Sequence, residues 1–229
     1  MQNGCTLVMD TSCSPLLLAV EKAGKVYTSR RKGIKQEKLL FPVLCALLKK
    51  ADVQMTEISR IFIIRGPGRF TGIRIALTFS SMMQFLNHTQ VFGATLFEVL
   101  QAQAVASRAY RTWKKQHPTG VLAVVLHAFR EEYFLQIFNQ TQQPPQWLSR
   151  EELLSCLGSY PAPLFVVGTD KDFAPLEGLL GAAYTVAPYK DCRVRAQTLL
   201  KLVREDKWTK NALEPLYLKP ARFELVEPK

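Results

Sequence analysis

The sequence predicts an α/β protein built from two similar lobes. Three observations carry that expectation. Short apolar runs of strand character alternate with longer segments whose apolar residues recur at helical spacing. Each half opens on strands before the alternation begins, from Thr6 and again from Val121. Between them lies a polar stretch with Pro and Gly, RTWKKQHPTG at Arg111 to Gly120, which sets the expected lobes at 1–110 and 111–229.

Taken in order, Thr6–Met9 is apolar and ends at Asp10-Thr11-Ser12. Leu16–Val20 follows Ser14-Pro15, and Lys25–Ser29 follows an Ala23-Gly24 turn, which together read as an antiparallel meander. A helix is expected over Glu37–Lys50, a strand over Ile61–Arg65, a helix over Gly72–Asn87, a strand over Val91–Gly93 and a helix over Leu96–Arg108. In the second half, strands are expected at Val121–Leu126, Glu132–Phe138 and Leu164–Val167, with a turn at Gln142–Pro145. A helix follows at Arg193–Arg204, then an extended tail from Leu213 to Lys219 between Pro215 and Pro220.

The chain has 229 residues, 48% hydrophobic and 21% charged, enough to bury a sizeable core. No run approaches the ~18 apolar residues of a membrane span, and MQNGCTLVMD has no basic leader region. Cys5, Cys13, Cys45, Cys156 and Cys192 are scattered, with no C-x-x-C pair. They read as reduced thiols of a cytoplasmic protein. The net charge of +11 is uneven: residues 1–74 hold 13 Lys/Arg against 5 Asp/Glu, and the remainder 17 against 14. The densest patch, around Arg30, Arg31, Lys32 and Lys35, reads as a solvated turn or as a nonspecific contact with a polyanion such as RNA.

Residues 66–74, GPGRFTGIR, place glycines between a strand and a helix, where phosphate is often bound. The spacing does not fit. Both the P-loop and the dinucleotide fingerprint need Gly where Thr71 stands, and no Lys follows. Gly66, Gly68, Thr71, Gly72 and Arg74 therefore read as a structural turn. Arg65, Arg69 and Arg74 crowd a positive helix end, which fits either an acidic partner or ordinary surface exposure.

Metal binding is not expected, because His88, His117 and His127 lack ligand spacing. No G-x-S-x-G element or evident Cys–His pair suggests a nucleophile. Asp10 ends a strand, where actin-like ATPases hold magnesium and phosphate, yet its turn lacks Gly. In the second half His127 stands where a matching Asp would be needed. Asp10 is expected to cap its own turn.

The helices carry the strongest signal. LLFPVLCALL, Leu39 to Leu48, has no polar side chain and includes Pro42, tolerable in a first turn or at a kink. In the next helix Ile75, Ala76, Phe79, Met82, Met83 and Leu86 form one arc, with Ile73, Leu77 and Phe85 outside it. Helices apolar all round must be covered all round, here preferentially by a partner protein. The expected contacts are Leu40, Leu44, Leu47, Ile75, Phe79, Met82, Met83 and Leu86.

LVMDTS, the LLFP helix, GPGRFTGIR and the tail PLYLKP together resemble the TsaB (YeaZ) family in order and spacing. The resemblance implies two RNase H-like lobes of the actin-like ATPase superfamily, each a mixed sheet with helices. It implies a noncatalytic, cofactor-free partner of a TsaD-like threonylcarbamoyltransferase, which forms threonylcarbamoyladenosine beside the tRNA anticodon. A TsaE-like ATPase would join through the complex, and a homodimer would use the same helices when the chain is alone. Arg69, Lys35-Gln36-Glu37 and His127-Ala128-Phe129 depart from the family's usual Ser, His-Ser-Glu and Asp-Ala-Arg. Alternative functions are an actin-like ATPase or kinase acting alone, and a stand-alone basic RNA-binding module.

Overall fold

The computed structural model describes residues 4–33, 35–139, 143–170, 174–205, 209–210 and 213–219. The first strand, β1 (Cys5–Asp10), pairs antiparallel with β2 (Leu16–Lys22), which pairs antiparallel with β3 (Lys25–Arg31). The expected meander is present. After α1 (Gln36–Ala51), β4 (Ile58–Ile64) joins β1 in parallel; after α2 (Phe70–Asn87), β5 (Gln90–Ala94) joins β4 in parallel. A short β11 (Thr209–Lys210) closes the far edge, giving the order β11-β5-β4-β1-β2-β3.

The second half repeats the plan. Strands β6 (Val121–Phe129), β7 (Glu132–Phe138) and β8 (Gln146–Ser149) form a meander; β9 (Leu164–Thr169) and β10 (Thr185–Val186) extend it in parallel. The order β10-β9-β6-β7-β8 matches the first sheet once β11 is set aside. Both are mixed α/β sheets of RNase H-like design.

Both faces of β1, β2, β4 and β5 are largely buried, so these strands read as nearly continuous apolar runs. On one face, Leu7, Met9, Leu18 and Ile63 pack with Leu40 and Leu44 of α1 and with Ile73 and Phe79 of α2. The other face is covered by α7 (Ala196–Arg204), which contacts β1, β2 and β4 and buries Leu199, Leu200, Leu202 and Val203. In the second sheet, Val125, Leu135 and Val166 pack with Leu153 and Leu157 of α5 (Arg150–Gly158) and with Leu179 and Leu180 of α6 (Glu177–Leu180).

Several boundaries differ from expectation. Contacts divide the chain at 99/100, within α3 (Leu96–Val105), and return 194–216 to the first unit. The helix expected over Leu96–Arg108 breaks before α4 (Arg108–Gln116), because the Ser107 hydroxyl accepts from the Tyr110 N–H and starts a new helix. Arg111 to Gly120 is therefore not a linker: its first half is helical, and Trp113 is buried. Ser149, whose hydroxyl caps Glu152 while the Glu152 carboxylate accepts from the Ser149 N–H, starts the α5 helix that periodicity missed. Pro42 lies in the second turn of α1 on its exposed side, past the first-turn position where it is tolerated most easily. Gln142, the start of one expected turn, and Pro220, beyond the tail, fall outside the described residues.

Candidate functional site

The glycine loop is bound to its own fold. Gly66 has φ +125° and would bring a Cβ to 2.5 Å from the Leu216 carbonyl oxygen; Gly68, at φ +159°, would reach 2.5 Å from that of Ser12. Gly72 has an ordinary helical backbone, but a Cβ there would stand 1.9 Å from the Thr11 carbonyl oxygen. Close approach of backbone to backbone is what these positions require.

The polar groups of the loop are spent in the same way. The Arg69 N–H donates to the Ser12 carbonyl at 2.7 Å, and the Leu96 N–H to the Gly66 carbonyl at 2.7 Å. The Leu216 N–H donates to the Arg65 carbonyl at 2.9 Å, and the Thr11 hydroxyl to the Gly72 carbonyl at 2.7 Å. Gln36, buried at the start of α1, donates its side-chain N–H to the Cys13 carbonyl at 2.6 Å. The end of β1, the start of α1, the loop and the tail up to Leu216 thus meet at one place.

Two of the three arginines have partners other than an acid. Arg65 Nη1 donates to the Glu214 carbonyl at 3.1 Å, and the Arg74 guanidinium lies 3.9 Å over the Phe70 ring. Thr71 is exposed in the first turn of α2.

Asp10 is buried and accepts from the Ser12 N–H at 3.0 Å and the Ser12 hydroxyl at 2.7 Å. This is the self-capped turn the sequence suggests. Burial pushes the Asp10 carboxyl above its ordinary range, against the opposing pull of the Ser12 bonds and the Arg30 charge. Burial likewise raises the Cys13 thiol to about 12 and those of Cys5 and Cys192 to about 11, away from thiolate chemistry.

In the second unit, His127 shares a hydrogen bond with the Arg130 carbonyl at 2.8 Å, and the Tyr133 hydroxyl donates to the Asp170 carboxylate at 2.7 Å. Among the described residues, no three His, Cys, Asp or Glu side chains gather as metal ligands. An open recess of about 660 Å³ lies beside Tyr110, Lys114, Thr119 and Phe138; its one charged lining side chain, Lys114, donates to the Gly120 carbonyl.

The helical contact set needs correction. Leu40, Leu44, Leu47, Phe79 and Met83 lie in the core of their own unit, and Ile75 packs half-buried against it. Their cover is the first sheet. Ile73 and Leu77, placed outside the apolar arc, are buried as well, because the Gly72–Thr11 approach turns that side of α2 onto the sheet. Of the expected contacts, Met82 is 39% and Leu86 66% exposed.

Three residues were missed: Phe85, 82% exposed; Phe70, 51% exposed beneath the Arg74 guanidinium; and Phe41, 49% exposed with its ring edge-on to Phe79 at 6.0 Å. Position on the apolar arc gave no signal for Phe85, since Ile73 and Leu77, also off the arc, are buried; Phe41 was hidden in an all-apolar run. Phe41, Met82, Phe85 and Leu86 are large apolar side chains left uncovered on two packed helices.

Of the basic patch, Arg31, Lys32 and Lys35 are exposed. Arg30 is exposed as well, and its guanidinium donates to the Val194 carbonyl at 2.6 Å and pulls against the rise in the Asp10 pKa.

Comparison with known proteins agrees with this geometry. Residues 34–136 match the family model described as TsaD, tRNA N6-adenosine threonylcarbamoyltransferase. The tRNA threonylcarbamoyladenosine biosynthesis protein TsaB of Buchnera aphidicola subsp. Schizaphis graminum is 26% identical over 48% of this chain and 50% of its own length. TsaB of Bacillus subtilis is 21% identical over 95% of both chains. The chain thus spans about half the length of the first curated relatives it matches and nearly all of the B. subtilis protein. The solved structure of YeaZ from Pseudomonas aeruginosa shares the fold at a TM-score of 0.67, with 21% identity over 94% of this chain and all of that one. With the four motif segments brought to one place, the chain is similar in sequence to curated proteins that carry the TsaB name and shares its fold with YeaZ.

Proposed function

We propose that this chain is a noncatalytic subunit of the machinery that makes threonylcarbamoyladenosine in tRNA, and that it docks a TsaD-like transferase through the exposed side of α1 and α2. The observation that carries the reading is the exposure of Phe41, Met82, Phe85 and Leu86 on two packed helices. Surfaces of this kind mark protein contacts. The internal use of the glycine loop supports a structural role rather than a phosphate site, and so disfavours an actin-like ATPase or kinase acting alone.

In this reading a TsaE-like ATPase and tRNA join through the assembled complex in the cytoplasm. Arg31, Lys32 and Lys35 add nonspecific attraction for the tRNA. Without the transferase, the same apolar face can pair two copies of the chain.

The test is co-purification of the chain with its transferase and measurement of threonylcarbamoyladenosine formed by the pair. Phe85→Asp with Leu86→Asp should abolish both association and product while the variant stays folded. Undiminished association would remove this face from the interface. ATP hydrolysis by the pure, isolated chain would instead support the ATPase reading.

A further inference from the structure

We infer that the outer face of α4 is a contact surface for the phosphate backbone of RNA. Helix α4 is held to the second sheet by two rings: Trp113, buried, and Tyr110 each lie 5.3 Å from Phe165. On the opposite side Arg108, Arg111, Thr112, Lys115 and Gln116 are exposed. At ~100° per residue, Arg108, Arg111 and Lys115 fall within an arc of about 60°. At ~1.5 Å rise per residue they form a stripe about 10 Å long.

Nothing in the described structure neutralises this stripe. From Val99 to Arg130 the sequence contains no Asp or Glu. Among the described residues no ion pair involves Arg108, Arg111 or Lys115. Arg111 donates from Nε to the Ser107 carbonyl at 3.3 Å, a bond that does not use its Nη donors. Elsewhere the chain uses the ordinary remedy: Lys201 of α7 has Glu205 one turn away at 3.7 Å.

In α4, like charges three and four residues apart repel, and Arg108 also opposes the helix dipole. A fold needs no such arrangement for solubility. An external polyanion relieves both penalties.

The exposed face further selects the kind of polyanion. It carries guanidinium, ammonium, hydroxyl and amide donors and no apolar side chain. Donors of these kinds suit phosphate oxygens. An acidic protein partner would ordinarily need an apolar anchor among the charges. The inference extends the proposed function, in which the substrate is tRNA, but is read from α4 alone.

The test is binding of the full-length chain to a labelled, unmodified tRNA transcript by fluorescence anisotropy across 50–200 mM salt. Arg111→Glu with Lys115→Glu should weaken binding at least tenfold and lower the slope of log K against log salt by about 2, at ~0.9 for each phosphate that is no longer neutralised. Arg111→Gln with Lys115→Gln, a milder change for the helix, should lower the slope in the same direction with unchanged circular dichroism. Lys49→Glu with Lys50→Glu, the same change in net charge on the exposed end of α1, should alter affinity less than about threefold.

Equal weakening by the α4 and α1 pairs, an unchanged slope in the α4 pairs, or no tRNA binding by the parent chain would each overturn the inference. So would displacement of tRNA by polyglutamate at comparable affinity, which would assign the face to an acidic protein. The readout needs no transferase. Failure of the α1–α2 docking test would therefore leave it standing, and its own failure would leave that docking face untouched.

Discussion

Asp10 shows how one carboxylate in a suggestive place can be structural. Its Oδ1 accepts both Ser12 bonds, and burial raises its pKa above the ordinary carboxylate value. The native state therefore keeps this proton to higher pH than the unfolded chain does. Stability from this group is fully present below the unfolded pKa and declines as pH rises through the raised one. Asp10→Asn keeps an acceptor for the Ser12 N–H and removes the titration. The stability of the variant relative to the parent should improve as pH rises from 4 to 7, measured by urea unfolding at each pH, whereas a pH-independent difference would show that Asp10 titrates normally. The same scale governs Gly72, whose added Cβ would meet the Thr11 carbonyl at 1.9 Å. Gly72→Ala should cost at least about 1–3 kcal/mol in chemical denaturation, because a rigid backbone cannot yield as a side chain does. A loss of a few tenths would mean that the turn has room.

At the scale of the element, α1 and α2 divide their apolar residues between two tasks. Phe79 lies 3% exposed in the core and Phe85 stands outside it, six residues along the same helix. Phe79→Asp would bury an unpaired charge and should unfold the first unit, with loss of cooperative thermal melting. Phe85→Asp should leave the melting curve within about 0.5 kcal/mol of the parent, as surface changes usually do. If both variants fold alike, the burial of Phe79 is not what holds α2 to the sheet. Strand β3 makes a similar division. Both Arg30 and Arg31 are exposed at the sheet edge, but Arg30 has a guanidinium N–H bonded to the Val194 carbonyl. Charged residues on such an edge also discourage strand pairing between molecules.

At the scale of the whole molecule, the first unit is discontinuous: residues 194–216 return to it from the far end of the chain. Helix α7 covers one face of the first sheet and adds Leu199, Leu200, Leu202 and Val203 to the buried set. A fragment ending at residue 110 would expose that face and is expected to be aggregated or only partly folded by circular dichroism and light scattering. Supplying residues 194–216 through a flexible linker after residue 99 should restore a cooperative unfolding transition. A well-folded 1–110 fragment would show that α7 is dispensable to the first unit.

The sequence by itself determined the α/β class, the first meander and the strand pair that opens the second half, and it showed that the glycine spacing misses the known phosphate cradles. These are local properties: alternation, helical period, and the spacing of glycines against known phosphate cradles. Tertiary structure decided which apolar residues are core and which are left for a partner. LLFPVLCALL is apolar on every side, so its period could not tell Leu40, buried, from Phe41, half exposed. It also decided that α7 belongs to the first unit and that Arg30 is spent on Val194, because both depend on residues more than a hundred positions apart meeting in space. A burial pattern is set by what packs against a helix, and that is fixed only when the distant parts of the chain have come together.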